Sequence, residues 1–316
     1  MNPNHGSRLA LGALILLSLI WGYNWVVMKQ VMQYVDPFDF SALRTLLGAA
    51  ALFGVLLARR GSLRPVAVVP TIWLGLVQTA GFTAVIQWAL VNGGAGKTVV
   101  LVYAMPFWLL PMAWWLFGER VGRVQWIAVV LALIGLVFIL EPWHAAGGSL
   151  FSDMLALSGS VLWAASSIMA KRMRQRFQVD LLSLTAWQML FGALALSAVA
   201  WVLPSRPIEP TAYFFGALVF CAVAATGLAW LLWLFILDRL PAGLAGLSSL
   251  AVPAIGVLSA WLELGEQPSG SESVGMLFIG GALVVVSLLT LGTRTAAAPK
   301  AEAAVEEGEA RCQAQR

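Results

Sequence analysis

The chain has 316 residues, of which 60% are apolar and only 11% charged, with a net charge of +4. A soluble domain carries roughly 25% charged residues, so this composition excludes a soluble enzyme, a disordered protein and a nucleic-acid binder. It describes a chain dissolved in lipid.

A spanning helix needs about 20 mainly apolar residues. Ten stretches meet that requirement, at 9–30, 38–58, 67–90, 96–117, 124–140, 153–171, 181–203, 212–237, 243–263 and 273–292. Open sheet edges are not tolerated in lipid, and the alternation of an outer-membrane barrel is absent, so these runs are expected to be helices. The first is too long for a signal peptide, and Trp21, Tyr23, Asn24 and Trp25 stand where small residues should mark cleavage. From Thr293 onward the chain is rich in Ala, Glu and Gln and is expected to be a disordered tail.

The charges that remain are sorted by side. One set of connections holds Arg8, Arg59, Arg60, Arg64, Arg120, Arg123, Lys171, Arg172, Arg174, Arg176 and Arg239; the other holds Lys29, Lys97 and Arg206. Eleven basic residues against three place both termini in the cytoplasm by the positive-inside rule. The net charge therefore reports orientation in a cell inner (plasma) membrane, not a nucleic-acid partner. Cys221 and Cys312 make no disulfide framework, and His5 and His144 offer no metal-site spacing. No cofactor or metal is expected.

The two halves resemble each other. Ser18-Leu-Ile-Trp21 matches Ser160-Val-Leu-Trp163, with Lys29 and Lys171 each eight residues beyond the Trp. Val35-Asp36 matches Val179-Asp180, and Leu46-Leu47-Gly48-Ala49 matches Leu190-Phe191-Gly192-Ala193. Ala95-Gly96, Pro106, Trp114 and Gly118-Glu119 recur 147 residues later as Ala242-Gly243, Pro253, Trp261 and Gly265-Glu266. Five helices per half is an odd number, so the second half enters the membrane from the opposite side. The expected organisation is a first repeat over 1–150, an inverted second repeat over 151–292 and a cytoplasmic tail over 293–316. Inverted repeats are a recurring device of secondary transporters.

Trp21-Gly22-Tyr23-Asn24-Trp25-Val26-Val27-Met28-Lys29, Arg44, Pro106 and Gly118-Glu119-Arg120 resemble the pattern of the EamA branch of the drug/metabolite transporter superfamily. The resemblance spans residues about 9–292. It implies an all-α polytopic membrane protein of ten helices, two inverted five-helix repeats around a central cavity, that exports small metabolites; members with many cavity aromatics include exporters of aromatic and other amino acids. The second half departs from the pattern, with Ala164-Ala165-Ser166-Ser167 in place of Gly22-Tyr23-Asn24-Trp25 and Gln188 in place of Arg44.

Polar groups inside a span are costly unless paired or wet, so each is a site candidate. Trp21 and Asn24 share a face of the first helix, and Trp163 and Ser167 share one on the sixth. Gln78, Phe82 and Val85 form a stripe on the third helix, and Val99, Tyr103 and Pro106 one on the fourth. Substrate contact is expected from Trp21, Asn24, Gln78, Phe82, Tyr103, Trp163, Ser167 and, more weakly, Gln188. Arg44 either meets a substrate carboxylate or a rim acid such as Asp39, or snorkels to the interface or anchors a helix pair, and is counted with the structural or gating residues. Glu119 and Glu266 are repeat-related structural or gating candidates. Pro106 and Pro253 are expected to kink their helices, as hinges or as static bends. Gly243, Gly246, Gly256, Gly280 and Gly281 are expected to permit close helix approach.

No carboxylate lies near a span centre and no GxxxxGK[ST] motif occurs, which favours an exporter uncoupled from a proton gradient and without a P-loop. The expected function is alternating-access export of small metabolites, amino acids including aromatic ones foremost, with the lipid bilayer and the substrate as partners. A multidrug exporter of the same fold and a non-transporting membrane scaffold are the alternatives. Catalytic constellations are missing, so no enzyme is expected.

Overall fold

A computed structural model describes residues 3–117, 123–140, 148–177, 180–229, 232, 251–282 and 284–285. Glu119, Gly243, Gly246 and the tail from Thr293 lie outside these residues. Among the described residues there is no strand. The first half contains α1 (Pro3–Val31), α2 (Pro37–Ala58), α3 (Val68–Asn92), α4 (Ala95–Val102), α5 (Met105–Phe117) and α6 (Arg123–Leu140). The second contains α7 (Gly148–Arg176), α8 (Leu181–Val202), α9 (Ala212–Leu228), α10 (Ala251–Leu264) and α11 (270–282). Each helix falls on an apolar stretch, because a backbone without water must close its hydrogen bonds within its own segment.

Four helices among the described residues are long and apolar enough to cross a membrane: Pro37–Ala58, Val68–Asn92, Leu150–Ala170 within α7, and Leu181–Val202. Large apolar side chains cover the outside. Trp201 is 90% exposed, Trp115 81% and Leu277 76%, which is costly in water and ordinary against lipid tails.

The helices interlock across the two halves. α2 packs on α8, α1 on α10 and α5 on α7. Two crossings share one design. Part of α3, Gly75–Gly81, and part of α9, Phe220–Leu228, are wound as π-helix. Thr79 of the first segment packs against Gly192 of α8, and Thr226 of the second against Gly48 of α2. A Cβ on Gly192 would stand 2.3 Å from Thr79 Cβ, and one on Gly48 2.4 Å from Thr226 Cγ2. Only glycine lets these backbones approach so closely.

Glycine packing differs from the sequence expectation on the last helix. Among the described residues, nothing lies within 4 Å of where a Cβ on Gly280 or Gly281 would sit. The close approach to α6 is instead made by Gly275, whose Cβ would lie 2.6 Å from Gly135 O, next to stacked Phe138 and Phe278 rings 6.0 Å apart. Gly256 does make a close contact, with Val99 of α4.

The fourth apolar stretch is interrupted, not merely bent. α4 stops at Val102 and α5 starts at Met105. Proline lacks the N–H that would bond the carbonyl four residues earlier. For Pro106 that carbonyl belongs to Val102, the last residue of α4, and Tyr103–Ala104 form the turn between the segments. Pro253 lies in α10, two residues after Ala251.

Candidate functional site: a central aromatic cavity

The interruption at Tyr103 opens onto a half-open cavity of about 140 Å³ lined by helices of both halves. An apolar protein cavity of about 150 Å³ accommodates benzene, so a single aromatic ring fits here. The first half supplies Trp21, Asn24, Trp25 and Met28 from α1, Arg44 and Thr45 from α2, Val102 and Tyr103 from α4 and its end, and a long face of α3. The second half supplies Trp163 of α7, Gln188 and Met189 of α8, and Ala225 and Thr226 of α9.

The α3 face is Gln78, Thr79, Phe82, Thr83, Ile86 and Gln87. It advances by four residues per step, whereas two regular turns of about 3.6 residues from Gln78 lead to Val85. The π-helical segment explains the difference, since each wide turn takes up extra residues and rotates the rest of the helix about its axis. Val85 accordingly stands off the cavity and Ile86 and Gln87 turn into it. Val99 is fully buried in the core and also lies outside the lining.

The aromatic wall centres on Trp163. Its ring meets Tyr103 edge-to-face at 5.3 Å and 90°, and Phe82 at 5.6 Å and 57°. Both geometries suit the ring quadrupoles. Trp21 is fixed by an indole N–H donated to Ala225 O at 3.0 Å, which ties α1 to α9. Asn24 Oδ1 accepts from Cys221 Sγ at 3.2 Å. Ser167 does not join the wall: its hydroxyl donates to Trp163 O at 2.8 Å within α7, the back-bond available to any helical serine.

Arg44 reaches the cavity from α2. Its guanidinium donates to Met28 Sδ at 2.7 Å, and among the described residues no carboxylate pairs with it, Asp39 included. Gln87 donates through Nε2 to Met28 O at 3.3 Å, and its buried Oε1 has no partner. Gln188 Oε1 is likewise buried and unpartnered. Sequence reasoning missed Gln87, Thr79, Thr83 and Thr226. An amide inside an apolar run was a usable signal for Gln87, but its direction depends on a π-turn that no periodicity reveals.

One end of the molecule is organised differently. Lys29 Nζ donates to Leu90 O, Val91 O and Gly93 O at 2.7, 3.2 and 2.8 Å, closing the C-terminus of α3. Glu266 accepts from Ala95 N at 3.0 Å and Gly96 N at 3.1 Å, capping α4. Lys97 bridges Asp153 at 3.0 Å and Glu272 at 3.1 Å. Asp36 accepts from Arg206 N at 2.7 Å, and Tyr23 donates to Glu263 at 3.1 Å. The Lys29, Glu266 and Lys97 contacts fasten the α3–α4 turn to α1, α7, α11 and the segment after α10, and the Tyr23–Glu263 bond ties α1 to α10.

A bundle of apolar helices with a cavity shared by two interlocked halves defines a multi-pass membrane protein of the transporter class. The chain belongs to the EamA-like transporter family, whose profile it matches twice, over residues 8–141 and 150–288. It is 28% identical over 271 residues to the uncharacterized transporter YoaV of Bacillus subtilis, an alignment covering 84% of this chain and 92% of that one. It is 27% identical over 284 residues to a probable amino-acid metabolite efflux pump of Salmonella typhimurium, covering 86% and 92% of the two chains. One solved crystal structure superposes with a TM-score of 0.64 at 22% identity, covering 90% of this chain and 99% of that chain. That likeness concerns the fold alone.

Proposed function

We propose that this transporter exports amino acids, aromatic ones among them, across the cell inner membrane by alternating access. The observation that carries the reading is the cavity itself: an aromatic wall of Tyr103, Trp163 and Phe82, sized for one ring and lined from both halves. Mostly apolar walls with a few convergent polar groups are the usual make-up of a small-molecule site. Trp21, Asn24, Gln78, Phe82, Tyr103, Trp163 and Gln188 bind the substrate in this reading. The efflux-pump relatives, at low identity, support the amino-acid assignment.

The architecture we propose is ten spans in two inverted repeats, 1–150 and 151–292, followed by a cytoplasmic tail, with both termini cytoplasmic. The mirrored Gly–Thr crossings and the paired π-segments support an inverted relation between the halves. Such a pair of halves exchanges conformations around a fixed site. The clasped end is then the outer gate, and a cavity of about 540 Å³ lined by Lys29, Asp36, Arg206 and Glu266 forms its vestibule.

Transport runs down the substrate's own gradient. None of the described cavity-lining residues is Asp, Glu or His, the groups that usually relay protons in membrane carriers. The Arg44 cation in the wall disfavours cationic drugs as cargo. The test is flux of labelled phenylalanine through purified protein in liposomes, with and without a pH gradient. Equal flux in both conditions, above that of protein-free liposomes, is expected. Strict dependence on the gradient would end the uncoupled reading, and movement of cationic drugs in place of amino acids would end the substrate assignment.

A further inference from the structure

The polar groups of the cavity are not equivalent in what they leave unsatisfied. A guanidinium carries five N–H donors, and among the described residues Arg44 meets only the weak acceptor Met28 Sδ. A cation held in an apolar bundle without a counter-ion is costly. The two amides have the complementary deficit. Gln87 is fully buried, and its Nε2 is committed to the Met28 carbonyl, which fixes its Oε1 as an acceptor with nothing to accept. Gln188, 4% exposed, has a buried Oε1 that is also without a partner, and its amide is free to turn either end to a ligand. All three residues line one cavity. Gln188 also occupies the position in α8 that Arg44 occupies in α2, 144 residues apart in the repeat, and the two helices pack directly.

We infer that the cavity reads a zwitterion: Arg44 binds the carboxylate of the substrate, and the carbonyl oxygens of Gln87 and Gln188 take its ammonium. The inference rests on the export reading above and adds the polar half of recognition to the aromatic half. The divergence of the two halves then has a purpose. A bundle with arginine at both repeat positions would repel the ammonium; one with glutamine at both would lose the carboxylate. A substrate with both charges supplies the missing counter-ion and the missing donor together, and any neutral or singly charged analogue leaves one of them unmet.

The experiment is competition by phenylalanine, phenylalaninamide, phenethylamine and 3-phenylpropionate, read as ligand-induced thermal shift and as inhibition of labelled phenylalanine flux. In the wild-type protein, the two ligands lacking the carboxylate should bind roughly 10- to 100-fold more weakly than phenylalanine, the range expected for one charge-assisted contact. In Arg44→Gln, phenylalanine and its amide should bind within about twofold of each other, since the contact that separates them is gone. Arg44→Lys should keep part of the preference, and Gln188→Leu should weaken phenylalanine toward 3-phenylpropionate. A purely structural Arg44 would alter stability and leave these ratios in place.

Equal binding of phenylalanine and its amide to the wild-type protein overturns the inference without any variant having to fold, and leaves export standing if phenylalanine is carried. Binding with the predicted ratios but no flux above protein-free liposomes would sink export and keep the inference. Absence of binding by all four ligands would remove both.

Discussion

The clasped end and the central cavity hold the same kinds of residue and use them in opposite ways. At the clasped end every cation is spent. Lys29 saturates three carbonyls, Lys97 sits between two carboxylates, and Glu266 takes two amides. In the cavity, Arg44 rests on a thioether, and two amide oxygens have no partner. In the proposed function, the difference separates polar groups that hold a structure from polar groups that bind the substrate. In lipid both kinds are expensive, so a group left unspent inside the bundle is the more telling one.

That contrast is breakable. The largest effect should come from Trp163→Ala, which removes the ring that Tyr103 and Phe82 support. Loss of a central aromatic anchor costs about 2 kcal/mol or more, so flux in liposomes should fall at least about 30-fold with membrane level unchanged. Undiminished flux would take Trp163 out of the site. Next comes Glu266→Ala at the clasped end. It strips a charged cap from two amides at about 1–3 kcal/mol, so the melting temperature in detergent should drop while the preference of phenylalanine over its amide stays put. A shifted preference with unchanged stability would reverse the roles assigned to the two regions.

Smaller effects sharpen the packing side. Gly192→Ala forces a methyl into Thr79 and the Gly75 carbonyl, and should cost roughly 1–3 kcal/mol in unfolding measurements. Gly48→Ala, at the mirrored crossing against Thr226, should behave alike. Gly280→Ala, which meets nothing within 4 Å among the described residues, should be neutral or slightly stabilising through helix propensity. Equal losses at Gly192 and Gly280 would mean that the crossings are not the tight points.

Much of this was readable from the amino-acid order. The apolar stretches became helices because lipid leaves the backbone no other way to pair, and Trp21, Asn24, Gln78, Phe82, Tyr103, Trp163 and Gln188 do line one cavity. The readings that strayed depended on geometry that periodicity does not encode. Val85 gave way to Ile86 and Gln87 because α3 is wound as π-helix over Gly75–Gly81. Ser167 turned to its own helix, a choice a hydroxyl always has. Gly280 and Gly281 looked like a packing face, yet the neighbouring helix crosses at Gly275. Glu266 was visible as half of a repeated pair, but its task of capping α4 required knowing which helix end lies within reach.

In the proposed function, an aromatic cavity shared by the two halves carries amino acids across the membrane. The most direct test is exchange of labelled phenylalanine in liposomes containing wild-type protein or Trp163→Ala, with no pH gradient. The wild type should equilibrate the label and the variant should trail it by at least about 30-fold. Wild-type exchange no faster than that of protein-free liposomes would contradict the claim.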